Sequence, residues 1–204
     1  ITNYSSDQVE MLKGEDGVEN SEGFREIPFS NELWIEREDF MEVPAKKWFR
    51  LAPGAMVRLK SAYIVKCESF VKDTEGNVTE IHCSYIPESR SNNDTSGISV
   101  KGTIHWVSAM HAVKAEVRLY DRLFKAENPA AEEGDFKDNI NPDSLQVITN
   151  AFIEPSLVNA TLQDRYQFLR KGYFCLDKDA TQDKLVFNRT VTLKDTWGKE
   201  VKKK

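Results

Sequence analysis

Five basic residues and no acidic one stand between Lys46 and Lys60, in the stretch KKWFRLAPGAMVRLK. Arg50 and Arg58 carry planar guanidinium forks that can meet a phosphate or a base edge with two hydrogen bonds. Lys46, Lys47 and Lys60 offer compact point charges instead. Trp48 and Phe49 add aromatic faces, on which unstacked bases rest in many RNA-binding proteins. A second set of such groups lies in RYQFLRKGYF, Arg165 to Phe174, with Gln167, Arg170 and Lys171 among aromatic neighbours. Gln and Arg are suited to reading base edges by hydrogen bonding. The chemistry these residues could do together is recognition of single-stranded RNA. A solvated amphipathic helix beside an ordinary exposed strand is the alternative that pattern alone leaves open.

Residues that could carry a reaction do not assemble in the same way. The chain has no GxSxG, HExxH, P-loop or GxGxxG motif. His82 falls in mid-strand and His105 directly precedes Trp106, so structural roles are expected for both. Glu132 and Glu133 sit in a polar loop, and with 33 acidic residues some adjacency is inevitable. Cys67, Cys83 and Cys175 are odd in number, widely spaced and without a CxxC pair, which suggests neither a disulfide framework nor a zinc site. Cysteine usage of this kind points to the cytoplasm. No catalytic residue, metal site or resident cofactor is expected in this chain.

The elements that must position the basic groups are mostly strands. In PAKKWFRLA a helix is expected, opened by Pro44 and stopped by Pro53-Gly54. It would place Lys46, Lys47 and Arg50 on one face. MVRLK then reads as a strand, with Val57 and Leu59 inward and Arg58 and Lys60 outward. Two β-rich runs joined by DTEGN, Asp73 to Asn77, predict a hairpin. SRSNNDTSG, Ser89 to Gly97, lacks any apolar residue and is expected as an exposed loop. Further strand patterns occur in ELWIERED, GTIHWVS, KAEVRLYDRLF, SLQVITNAFIE, RYQFLRKGYFCLD and KLVFNRTVTLKD. The expected fold class is all-β: two small antiparallel β-barrels over residues 1–100 and 101–204, with a few short helices. The last strands, about residues 186–204, could instead return to pack on the first barrel.

Bulk properties bound the partners. The 204 residues carry a formal charge of −5, which argues against indiscriminate coating of nucleic acid but allows a local basic patch. No apolar run approaches the ~18 residues of a membrane helix, so no membrane partner is expected. The N-terminus has no signal-peptide pattern. It also lacks a starting Met, so the chain is expected to come from a longer protein.

From Gly102 to Phe124, GTIHWVSAMHAVKAEVRLYDRLF resembles the C-terminal anticodon-binding region of the glutaminyl-tRNA synthetase family. The resemblance extends over REIPFSNELWIEREDF, VRLKSAYIVK, INPDSL, GYFCLD and VFNRTVTLKDTW, and so over nearly the whole chain after about Phe24. It implies a pair of β-barrels similar to ribosomal protein L25, gripping the anticodon loop of glutamine tRNA. It further implies a monomeric class I ligase whose separate N-terminal Rossmann domain uses ATP with Mg; the HIGH-type and KMSKS-type signatures of that domain do not occur here. By the same resemblance, Arg50 and Arg170 serve the third anticodon base, Arg58 and Lys60 the first, and Gln167 the middle one. Lys46 and Lys47 would hold phosphates or bases. Lys60 stands where the family pattern has Arg, and Phe49 where it has a basic residue. The equivalent region of an archaeal or eukaryotic-type glutamyl-tRNA synthetase, and a non-catalytic L25-like RNA-binding protein, are the alternatives.

Overall fold

The computed structural model describes residues 1–17 and 23–193. Its strands are β1 (Glu10–Glu15), β2 (Phe24–Phe29), β3 (Leu33–Ile35), β4 (Met56–Leu59), β5 (Ile64–Lys72), β6 (Val78–Ile86), β7 (Thr103–Ile104), β8 (Trp106–Ser108), β9 (Val113–Tyr120), β10 (Leu145–Ile153), β11 (Tyr166–Phe168), β12 (Gly172–Leu176) and β13 (Leu185–Val191). The only helical elements among the described residues are 3-10 turns, such as Arg37–Asp39 and Pro87–Ser89. The chain is mainly β, and it divides into two compact units.

The first unit comprises Ile1–Ala112 and Glu154–Ser156. It holds a β6-β5-β4-β7 sheet, a β3-β8 pair and a β1-β2 pair. Strand alternation sets its core: Val57 and Leu59 of β4 are buried between exposed Met56 and Lys60. An aromatic cluster fills the centre. Phe29 meets Trp106 edge-on at 5.2 Å, Tyr4 meets Phe29 at 5.0 Å, and Tyr63 meets Tyr85 at 5.1 Å. These ring geometries favour the positive edge of one ring over the negative face of the next. The β5–β6 hairpin turns where DTEGN requires it. Asp73 accepts from the backbone N–H groups of Glu75 and Asn77, and Gly76 takes φ +86°.

The second unit comprises Val113–Ile153 and the described residues from Leu157 onward. Its sheet order is β10-β9-β13-β12-β11, with β13 parallel to β9. Ala115, Val117, Phe174, Leu185 and Phe187 make its core, and Phe168 stacks on Phe174 at 4.2 Å. Buried Asp177 accepts from Arg118 of β9 at 3.2 Å and from Asn188 of β13. The Asp179 amide, then Asn188 and Arg118, hold the Asp177 carboxyl below the usual carboxylate range.

Three expectations change. Residues 44–52 are not a helix. Leu51 donates its N–H to Asp39 and accepts from Met41, forming a parallel bridge with Phe40 instead of an intrahelical ladder. Lys47 lies at φ +67°, outside helical geometry, so the shared helical face of Lys46 and Arg50 does not exist. Second, β7 and β8 pair with β4 and β3 in the first unit, so the chain passes to the second unit after Ala112, not at 100/101. β13 belongs to the sheet of the second unit, and residues after 193 lie outside the described residues. Third, the strands among the described residues form four open sheets, and no closed barrel is seen.

Candidate nucleic-acid interface

The two halves of the basic stretch are brought side by side through Gly102. The carbonyl of Gly102 accepts from the Arg58 N–H at 2.9 Å. A Cβ at this position would lie 1.6 Å from the Phe49 carbonyl oxygen, so the backbone carrying Trp48, Phe49 and Arg50 rests directly on the glycine. Lys46 and Lys47 project, exposed, from the turn before it, where the Trp48 N–H bonds the Ala45 carbonyl.

Arg50 is held on three sides. Its Nη1 donates to the Glu38 carbonyl at 3.0 Å and lies 3.4 Å from the carboxylate of Asp39, which is fully buried. Its guanidinium carbon sits 5.4 Å from the centre of the Trp48 ring. Trp48 is itself fixed by an indole N–H bond to the Leu51 carbonyl at 3.0 Å. A cation over a tryptophan face is attracted by the ring quadrupole, and the Arg50 side chain stays partly exposed. Beside it Phe49 is 49% exposed, with the Lys101 ammonium 5.3 Å from its ring centre. Trp48, Phe49, Arg50, Met56 and Lys101 line a shallow pocket of about 260 Å³ that ends on Gly102. Lys101 carries no local signal in the sequence because it lies far along the chain from the groups it joins.

Arg58 and Lys60 leave the same face of the β4 end, as alternation requires, with Lys60 just beyond the strand. Arg58 is not simply exposed. Its Nη1 donates to the Ser89 carbonyl at 2.7 Å, and its Nη2 pairs with Asp94. The polar segment that reads as a plain loop is therefore the partner of a candidate reading residue.

Gln167 and Arg170 belong to the second unit. Gln167 is exposed in mid-β11, opposite Tyr173 of β12. Arg170 occupies the hairpin turn between β11 and β12 at φ +63°. Strand parity would point these two side chains in opposite directions; the turn removes that constraint. The structure thus places Lys46, Lys47, Arg50, Arg58 and Lys60 in the first unit, and Gln167 with Arg170 on one hairpin of the second. A separate cavity of the first unit, about 740 Å³, is lined largely by apolar groups such as Leu33, Phe40, Leu51 and Val65. No group of three or more His, Cys, Asp or Glu side chains that could hold a metal occurs among the described residues. No helix there is long and apolar enough to cross a membrane.

The model of the anticodon-binding domain of class I tRNA synthetases for Glu and Gln matches residues 1–86, and a second model of the same description matches residues 103–177. The glutamine–tRNA ligase of Rhodopirellula baltica is 55% identical over 202 residues, 98% of this chain and 33% of that protein. That of Vibrio parahaemolyticus is 55% identical over 98% of this chain and 36% of its own length. That of Pseudomonas syringae pv. tomato is 50% identical over 97% of this chain and 35% of its own length. The chain therefore spans about a third of the length of the curated relatives it matches. With cations and aromatics carried on the turns and strand ends of an otherwise acidic β protein, the chain belongs to the anticodon-binding domains of the class I glutamyl- and glutaminyl-tRNA synthetases.

Proposed function

We propose that this chain recognises the anticodon of glutamine tRNA for a cytoplasmic, monomeric glutamine–tRNA ligase. The observation that carries the reading is the match to ligases of that name over 97–98% of the chain. The basic, aromatic-lined surface around Gly102 supports it. A separate N-terminal catalytic domain would use ATP with Mg to attach glutamine; this chain would bind no cofactor of its own. Its two units would correspond to the L25-like barrels of the family, with their sheets left open.

In this mechanism the three anticodon bases splay apart and enter separate sites. Arg50 and Arg170 serve the third base, Arg58 and Lys60 the first, and Gln167 the middle one. Lys46 and Lys47 hold phosphates. Trp48 stiffens Arg50, so less side-chain entropy is lost when a base binds. A wrong base leaves a desolvated donor or acceptor unpaired, which costs ~1–3 kcal/mol, or roughly 5- to 150-fold in affinity. In the full-length protein, Arg50→Ala and Arg170→Ala should each lower kcat/KM for the tRNA within that range, about 5- to 150-fold. Glutamine activation, measured with tRNA present, should be less affected. Unchanged charging kinetics in both variants would count against the assignment. Because the matching domain description covers both Glu and Gln enzymes, charging with glutamate is run in parallel; faster glutamate transfer would move the protein to the glutamyl branch.

A further inference from the structure

We propose that Asp94 makes Arg58 a reader of a base edge and not an anchor for a phosphate. The inference rests on the anticodon reading above and assigns a role to a loop that reading does not use.

Arg58 enters a cradle whose acceptors are already fixed. Ser89, which is fully buried, offers its carbonyl to Nη1, while its hydroxyl donates to the Ile86 carbonyl at 2.6 Å and accepts from the Ile64 N–H at 2.7 Å. Ser91 offers its hydroxyl oxygen to Nη1 at 3.4 Å and donates to the Ala62 carbonyl at 2.8 Å. Asp94 takes Nη2 on one carboxylate oxygen, while the other accepts from the backbone N–H and the hydroxyl of Ser96 at 2.9 and 2.6 Å. A guanidinium has five N–H groups. Three of Arg58's are engaged in this way, leaving one on Nε and one on Nη2.

The pairing changes what Arg58 can recognise. With Asp94 beside it, the arginine contributes no net positive charge, so a phosphate placed there would also face a carboxylate and release little bound counterion. Two remaining donors in fixed positions still suit a neutral base edge that presents acceptors. Lys46 and Lys47 differ: neither pairs with a carboxylate among the described residues. Phosphate gripping thereby falls to Lys46 and Lys47, and base reading to Arg58. Asp94 acts through Arg58 and is a positioning residue.

The test measures binding of the full-length protein to anticodon stem-loop RNAs that differ only at the first anticodon base, over a series of salt concentrations. Asp94→Asn leaves Arg58 with an uncompensated charge. The slope of log K against log salt should steepen by about 0.7 to 1. Preference for the correct first base should fall about tenfold. The double variant Arg58→Gln/Asp94→Asn removes a neutral pair; it should keep the wild-type slope and lose the same preference. If the double variant instead flattens the slope by about 0.7 to 1, Arg58 grips a phosphate and the proposal is overturned. Uniform weakening by Asp94→Asn, with slope and preference unchanged, marks a mere loop tether and overturns it too. Failure of the wild-type protein to distinguish the stem-loops at any anticodon position would sink the anticodon reading itself, a result distinct from either.

Discussion

Glu154 shows how a single side chain can tie the first unit to pH. Its segment returns to that unit after β10, and it is only 9% exposed. Arg25 grips its carboxylate with Nε and Nη2, and His105 Nε2 approaches to 3.2 Å. Burial alone would raise the Glu154 carboxyl, but the hydrogen bonds from Arg25 and His105 and the charge of Arg25 outweigh it and hold the group at about 2. The folded state thus binds this proton less readily than the unfolded chain, whose glutamate titrates near 4.5. The stabilisation is complete above that value and is lost as pH falls toward about 2. On the order of 3 kcal/mol is at stake. Glu154→Gln should therefore lower the wild-type urea midpoint at pH 7, with the gap between the two proteins closing as the pH drops from about 4.5 toward about 2. A gap independent of pH would refute the role of this carboxylate. Other charged residues are bound structurally as well: Arg50 has Asp39 and Arg58 has Asp94. Their side chains are held in place before any RNA arrives.

Among the elements, the short strand β7 and the glycine before it decide whether there is a basic surface at all. Gly102 hydrogen-bonds to β4 and lies beneath the Phe49 carbonyl, so it fixes the spacing between the Trp48–Arg50 segment and Arg58. The atom that would clash with a Cβ is backbone, which cannot swing aside as a side-chain tip can. Gly102→Ala should cost at least ~1–3 kcal/mol and weaken stem-loop binding. Urea unfolding followed by tryptophan fluorescence checks the first effect and a binding titration the second; wild-type values in both would show that the segment relaxes freely. The same neighbourhood explains why residues 44–52 are not helical. The amphipathic spacing suits a helix, but Leu51 spends its backbone groups on Asp39 and Met41. Local propensity is a weak prior that such tertiary pairing overrides.

At the level of the whole molecule, a net charge of −5 leaves recognition to a few well-placed cations. Binding should depend only modestly on salt. Lys46→Ala and Lys47→Ala should each flatten the log K–log salt slope by about 0.7, as expected for contacts to single-stranded phosphates. They should weaken all stem-loop sequences equally. A change in base preference from either lysine would place it at a base instead. RNA lacking the anticodon sequence should bind poorly at physiological salt, because no broad positive field exists to hold it.

Much of this was legible from the residues. Alternation located the strands from β4 through β6 and most of those from β9 onward, and it placed Arg58 and Lys60 on a common face. Asp73 and Gly76 specified the hairpin turn. These features depend on neighbours within a few positions, so the linear order of residues suffices to determine them. What depended on distant partners was decided only in three dimensions. The break in GTIHWVS at His105, the passage to the second unit after Ala112, and the refusal of residues 44–52 to form a helix all follow from backbone pairing across tens of residues. The same holds for Lys101 over Phe49 and for Asp94 on Arg58. Side-chain type and local spacing carry the choice between strand and turn. Which cation meets which carboxylate or ring is set by packing of segments far apart in the chain, and only the folded structure supplies that proximity.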